Sequence, residues 1–232
     1  KHHLDRYAPG PGGLDWANQP DPFRRFPGAP RTELPLRADV LATPFEAVRR
    51  GERPAAYPLE RDALALLFEL SLGLSAWKQQ GESRWALRCN PSSGNLHPTE
   101  GYLVCAALPG LAAGVHHYLS HDHVLEQRAA PSSESWGSEL HGGVVVALTG
   151  IHWREAWKYG LRAYRYCQHD GGHAIATVAY AAAALGWRAR LLAGWGDAEL
   201  ATLLGLNRAE DFADAESEHP EVALWVGPEP PP

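Results

Sequence analysis

The stretch Arg88-Cys89-Asn90-Pro91-Ser92-Ser93-Gly94-Asn95-Leu96-His97-Pro98-Thr99-Glu100 concentrates groups that can do chemistry. It offers two hydroxyls (Ser92, Ser93), an amide (Asn95), an imidazole (His97) and a cation (Arg88). Gly94 adds a backbone able to take conformations that other residues resist. Lying between a helix-like and a strand-like segment, where ligand loops often lie, such a set can grip a polar, anionic ligand such as a phosphorylated ribityl chain. The same residues can also form a Ser- and Asn-rich turn that bonds only to itself. Residue chemistry alone leaves both readings open.

A second candidate is the segment after Ile151. Arg154, Lys158, Arg162 and Arg165 fall at i, i+4, i+8 and i+11. At about 100° per residue they share a narrow helical stripe. Trp153, Trp157, Leu161 and Tyr164 form the adjoining face. Cations beside aromatics suit an electron-rich ring or a phosphate. The plainer reading is a solvated basic face with ion pairs, for instance Glu155 near Tyr159 and Arg162.

Histidines make a third pattern. His116, His117, His121 and His123 crowd one segment, and His169 and His173 have the i, i+4 spacing of a helical metal pair,. A metal-dependent enzyme is therefore a reading from another class. Against it, the hairpin histidines alternate faces or lie in a turn, and only Asp122 and Asp170 stand nearby as partners. No metal site is expected. His169-Asp170 is expected to end a helix, where a histidine meets the carbonyl end favourably.

The elements that must position these groups follow from periodicity. Residues 1–58, rich in Pro, Gly and Arg with isolated aromatics, read as an extended arm that packs on a surface through those aromatics, as such arms often wrap a partner domain, or else as a disordered leader. Residues 59–228 read as the main domain. Leu64, Leu67, Phe68, Ser71 and Leu74 predict a helix over 60–78, followed by a polar loop over 79–99. A strand is predicted at Tyr102–Leu108. Gly114–Tyr118 and His123–Arg128 predict a hairpin, and Gly143–Ile151 a buried central strand. Helices are predicted at Trp153–Gln168, Gly172–Leu185 and Ala198–Leu204. The second of these is apolar nearly all round, so burial at the domain centre or a subunit interface is expected. A last strand is predicted at Val222–Val226. Helices mixed with antiparallel strands, without regular βαβ alternation, make the class α+β. Residues 229–232 read as a linker or tail.

Composition narrows the function. The chain has 232 residues, 45% of them hydrophobic, and a formal net charge of -6. That length fits one large domain or one and a half small ones. A pI near 6.0 argues against nucleic acid as the main partner,. No apolar run approaches the roughly 20 residues that span a bilayer. Cys89, Cys105 and Cys167 are odd in number and far apart, which suits reduced thiols in a cytoplasm. The sequence contains no methionine and ends in a proline-rich run, so a fragment of a longer protein is expected. Dinucleotide, P-loop and GxSxG fingerprints are missing from the sequence,.

Pro91-Ser92-Ser93-Gly94-Asn95-Leu96-His97-Pro98 resembles the FMN-binding loop of nitroreductase-like proteins, commonly Pro-Ser-x-x-Asn-x-Gln-Pro. Thr99-Glu100-Gly101-Tyr102 resembles the Pro-Leu-Glu-x-Tyr of the branch that oxidises azolines in peptide natural products. Trp153-Arg154-Glu155-Ala156-Trp157-Lys158-Tyr159-Gly160, with Arg162, Tyr164-Arg165-Tyr166 and Asp170-Gly171-Gly172-His173, is similar to that branch too. The resemblance covers roughly residues 60–227. The arm looks like the start of long tandem members, in which two such domains share one chain.

The resemblance implies an antiparallel sheet flanked by helices, with FMN at a domain–domain or homodimer interface. It implies an FMN-dependent oxidoreductase that moves hydride between flavin N5 and an unsaturated or heterocyclic small-molecule or peptide substrate. Lys158 and Tyr159 would be the acid/base pair, a lowered pKa letting one of them take the substrate proton. Arg88, Ser92, Ser93, Asn95 and His97 would line the flavin, and the backbone at Ala193 and Gly194 would face N5. A non-catalytic module that completes a partner domain's flavin site is the alternative. The family's Arg-Arg-Ser-x-Arg near the first helix and its basic residue near the C-terminus are missing here. Phosphate contacts would then come from a second domain, or FMN would bind weakly.

Overall fold

The computed structural model describes residues 8–131, 137–212 and 215–229. The first residues of the expected arm, 1–7, and residues 230–232 of the expected tail lie outside them.

Regular structure begins within the leader at β1 (Arg31–Glu33), and a short helix, α1 (Phe45–Arg49), follows. The apolar run then makes α2 (Arg61–Ser71), with Leu64, Leu67, Phe68 and Ser71 all fully buried. The helix predicted to reach residue 78 stops here. Ser71 Oγ bonds back to the Leu67 carbonyl, and the amides of Leu72 and Gly73 close onto Phe68. What was expected as helix end and polar loop is a hairpin of β2 (Leu74–Gln80) and β3 (Ser83–Arg88). Almost all of β2 is exposed, so no alternation of apolar residues marks it in the sequence.

Next come β4 (Thr99–Cys105), β5 (Gly114–Leu119), β6 (Val124–Ala129) and β7 (Val144–Gly150). The chain continues through α3 (His152–Tyr159), α4 (Ala163–Ala184), β8 (Arg188–Leu191), α5 (Asp197–Leu204) and β9 (His219–Gly227). Seven strands form one sheet in the order β1-β6-β5-β4-β7-β9-β8, each neighbouring pair antiparallel. The predicted hairpin, central strand and last strand are all present, while β8 was not foreseen.

Both faces of the sheet centre are covered, which explains the unbroken apolar run of β7. Leu103, Val144, Val146 and Leu148 face α2 and α4, packing with Leu64, Phe68, Val178 and Leu185. Tyr102, Val104, Val145 and Ala147 face the other way, against Leu200 and Leu204 of α5. Each buried side chain of this size contributes about 1.5–3 kcal/mol of transfer free energy.

The helices after β7 break at a different place from the one expected. Gly160, with φ 54° and ψ -129°, ends α3. No L side chain takes that conformation readily. A single 3-10 turn leads into α4, which runs unbroken through His169, Asp170, Gly171 and Gly172. His169-Asp170 therefore does not end a helix. Within this chain α4 is not buried all round: Gly172, His173, Ala176, Ala179 and Tyr180 are exposed. The arm packs on this same domain through its aromatics. Trp16 meets Trp157 edge-on, Phe23 meets Trp77 and His121, and Phe26 meets His117 and Phe212. Among the described residues no helix is long and apolar enough to cross a membrane.

Candidate functional site

The loop between β3 and β4 rests on a buried charge cluster. Glu100, at the second position of β4, faces Arg154 of α3 and Arg88 at the end of β3, and all three are buried. Burial alone would raise the Glu100 carboxyl, but Arg154 and Arg88 outweigh it and hold it well below the usual carboxylate range. On its far side Glu100 meets His117, which bridges to Glu126. Burial opposes a charge on His117, yet its bonds to Glu100 and Glu126 prevail and raise its pKa. This cluster is structural support. Arg154 therefore leaves the solvated stripe in which its spacing placed it. Arg88 is engaged within the protein: its Nη1 donates to the Thr99 carbonyl at 2.9 Å and its Nη2 to the Pro22 carbonyl at 2.6 Å.

Above the cluster the loop is held in a strained path. Gly94, Asn95 and His97 all have positive φ, near 60°, 61° and 51°. For His97 that conformation is costly and persists only where its surroundings impose it. They do so here. His97 donates its amide to Ser92 Oγ at 2.8 Å, and its carbonyl accepts from Arg154 at 2.6 Å. Its ring sits against the Ala86 carbonyl, and burial, followed by the Arg88 charge, pushes its pKa down to about 3. Asn95 Nδ2 donates to the same Ala86 carbonyl at 2.6 Å. Ser93 gives both its amide and its hydroxyl to the Asp170 carboxylate, each at 3.0 Å. The side chains of Ser92, Ser93, Asn95 and His97 thus bond to the protein itself, and those of Ser93, Asn95 and His97 do so outside the loop, to Asp170 of α4 and Ala86 of β3. Asp170, from the middle of α4, is the partner that local spacing could not announce.

The open side of the loop is Gly94. Lys158 Nζ lies 3.5 Å from its carbonyl oxygen. A β-carbon placed on Gly94 would sit 2.5 Å from the Tyr159 hydroxyl and 3.0 Å from Lys158 Nζ. Tyr159 packs on Tyr166, with the Arg162 guanidinium over its ring. The loop and the Lys158-Tyr159 end of α3 therefore form one wall. Burial, then the nearby Glu155 carboxyl, raises the Tyr159 hydroxyl above its ordinary value. The tyrosine is thereby held in its protonated form.

Glu155 is fully buried on α3, and neither of its oxygens meets a hydrogen-bond donor. It is not the surface ion-pair partner of Arg162 that the spacing suggested. Burial, followed by the Asp170 charge, pushes it up to about 8. The available signal was its position, i−3 from Lys158 and i−4 from Tyr159.

Ala193 and Gly194 lie in an exposed turn after β8, and a β-carbon on Gly194 would meet open space. Since β7 and β8 both run opposite to β9, this turn and α3 leave the sheet at the same edge. The histidine-rich hairpin is dispersed. His116 bonds the Ala112 carbonyl, His117 sits in the charge cluster, His121 pairs with Asp122, and His123 meets the Tyr118 hydroxyl. Among the described residues no three His, Cys, Asp or Glu side chains gather to hold a metal.

Comparison with solved structures places this arrangement. The chain is similar to a protein of Anabaena variabilis classed with the nitroreductases, at 25% identity and a TM-score of 0.68, covering 94% of this chain and 43% of that one. It is similar to a Ralstonia eutropha protein classed likewise, at 18% identity and 0.59, covering 85% and 88%. It is also similar to a chain of the E. coli microcin synthetase McbBCD complex, solved with truncated pro-MccB17 bound, at 20% identity and 0.57, covering 87% and 75%. No family model and no curated protein sequence matches. The fold is that of the nitroreductases, an α+β fold with an antiparallel sheet flanked by helices. This chain spans less than half the length of the Anabaena protein.

Proposed function

We propose that this chain is a flavin-dependent oxidoreductase domain, with FMN as its cofactor and Lys158 and Tyr159 as the groups that meet the substrate. The observation that carries the reading is the single wall formed by Gly94, Lys158 and Tyr159. Its residues suit one part of FMN. Lys158 and Arg162 beside the Tyr159 ring fit the anionic edge and π-face of an isoalloxazine,. The exposed turn at Ala193 and Gly194, at the same end of the sheet, leaves room for flat approach. Arg88 is not among the contacts we propose. Ser92, Ser93, Asn95 and His97 shape the loop from within, and we infer that the phosphate is held chiefly by a second nitroreductase-like domain. A chain covering 43% of the Anabaena protein leaves room for that domain, as a tandem half or a second copy.

When bound, FMN supplies a two-electron acceptor. The chain's own residues do the rest. Tyr159, holding its proton, donates a hydrogen bond to a substrate heteroatom and is the acid of the pair. Lys158, in its neutral amine form, is the base that takes the proton the substrate gives up, and as the resulting ammonium it stabilises the negative charge left there. An unsaturated or heterocyclic substrate, small or within a peptide, offers such a heteroatom. The likeness to McbBCD, solved with a pro-peptide, supports the peptide case. Cys89, Cys105 and Cys167 form no disulfide, and Cys105 and Cys167 are buried, which supports a reducing compartment such as the cytoplasm.

The inward bonding of the loop's side chains favours one other reading, a non-catalytic half that completes a partner's flavin site. One experiment separates the two. Full-length protein is titrated with FMN, its visible spectrum followed, and Lys158→Ala and Tyr159→Phe are assayed for turnover. Flavin bands, with turnover lost in both variants, support catalysis here. Flavin bands with unchanged turnover support the completing half, and no binding ends the flavin reading.

A further inference from the structure

A buried acid without a donor or a cation beside it is costly to ionise. Glu155 is such an acid, fully enclosed and unpartnered at both oxygens. It shares a helix face with Lys158 and Tyr159, one turn further along α3,. Opposite it, α4 brings Asp170, which already accepts from Ser93, and the Cys167 thiol. The groups facing Glu155 are thus Lys158 and Tyr159 from its own helix and Asp170 and Cys167 from α4. The turn Ser93–Asn95, packed on the same helix, carries no charge. Lys158, the cation within a helical turn, points instead to Gly94.

We propose that Glu155 is a positioning residue for this site: a buried carboxylic acid that, while neutral, leaves Lys158 unpaired and turned to Gly94, and that on losing its proton draws Lys158 inward and off the loop. Ionisation here is plain proton loss to solvent. The neighbouring Asp170 disfavours a second negative charge, while Lys158 favours it, so the two states lie close in free energy. With the acid pushed up to about 8, the change falls just above neutral pH. Substrate-competent geometry belongs to the neutral form. The inference rests on the proposed function only for the use made of Lys158, since the movement itself needs no flavin.

The state of Lys158 is read from its ε-carbon signal in protein carrying isotopically labelled lysine. Full-length protein without flavin is titrated, with Lys158→Arg to assign the signal. The Lys158 signal is expected to show a step at about 8 that is lost in Glu155→Gln, a shape-conserving and permanently neutral replacement. A Lys158 signal that ignores Glu155→Gln overturns the proposal. Should that variant not fold, infrared spectra of the unaltered protein decide. A protonated-carboxyl band that disappears through about 8 together with the Lys158 step upholds the proposal. A missing band at neutral pH overturns it. A step at Lys158 without flavin binding leaves this inference standing and removes the flavin reading. Flavin binding with no step does the reverse.

Discussion

Lys158 Nζ lies 3.5 Å from the carbonyl oxygen of Gly94, joining positions 64 residues apart in the chain. The contact is long for a hydrogen bond, so the ammonium is placed without being spent. Its partner atom belongs to the backbone, so what matters at position 94 is the lack of a side chain.

Gly94→Ala tests that directly. Gly94 has a φ of 60°, and a β-carbon there would come within 2.5 Å of the Tyr159 hydroxyl. The variant is expected to lose more than about 1 kcal/mol of stability, because alanine resists a positive φ. It should also displace Tyr159 and Lys158 and weaken FMN binding. Thermal melting and an FMN titration read the two effects separately. A variant as stable and as tight as the parent would contradict the geometry.

Asp170→Ala removes the acceptor of the Ser93 amide and hydroxyl. Leaving those donors without a partner costs about 1–3 kcal/mol. Amide exchange should accelerate at residues 92–97 before it does so in β4 or β7. Uniform acceleration across the chain would mean that Asp170 supports the fold at large and not the loop.

Arg154 and Lys158 occupy equivalent positions on one helical stripe, yet their replacements should behave oppositely. Arg154→Ala takes from buried Glu100 the nearer of its two arginines and should cost about 3–5 kcal/mol,. Lys158→Ala should change stability by less than about 0.5 kcal/mol while abolishing turnover. Urea unfolding of both variants checks the contrast.

That pair also marks how far the sequence can be read. Periodicity sufficed for β7 and for the β5–β6 hairpin, whose residues alternate faces or are buried on both. It failed at β2, whose exposed residues show no alternation, and at Gly171-Gly172, where α4 continues because tertiary packing holds it. In the site, spacing put Arg154 and Lys158 on one face but could not supply Glu100, which arrives from 54 residues away to bury only the first. The hydroxyls of Ser92 and Ser93 were legible as donors. That they point inward depends on Asp170, 77 residues from Ser93. Short-range pattern reveals which groups exist; long-range pairing decides which are left free.

Stability should fall as pH rises across the neutral range. Glu155 is raised from 4.5 to about 8, so between those values the folded chain keeps a proton that the unfolded chain has released. The slope is up to about 1.4 kcal/mol per pH unit in that window. Glu100 and Glu126, both lowered, act at the acid end instead, where protonation removes their contribution as pH falls. Glu155→Gln should flatten the neutral slope and leave the acid limb in place. Urea midpoints measured across the range show whether it does.

The contacts between residues 24–26 and residues 212–216 bear on how this domain is made. Arg24 donates to the Glu216 carbonyl, 192 residues later, and Phe26 lies against Phe212. Residues 24–26 therefore cannot complete these contacts until residues 212–216 have been synthesised. Their docking becomes a late event in the folding of this domain, and a nascent chain halted before Phe212 would carry Phe26 without one of its closing partners.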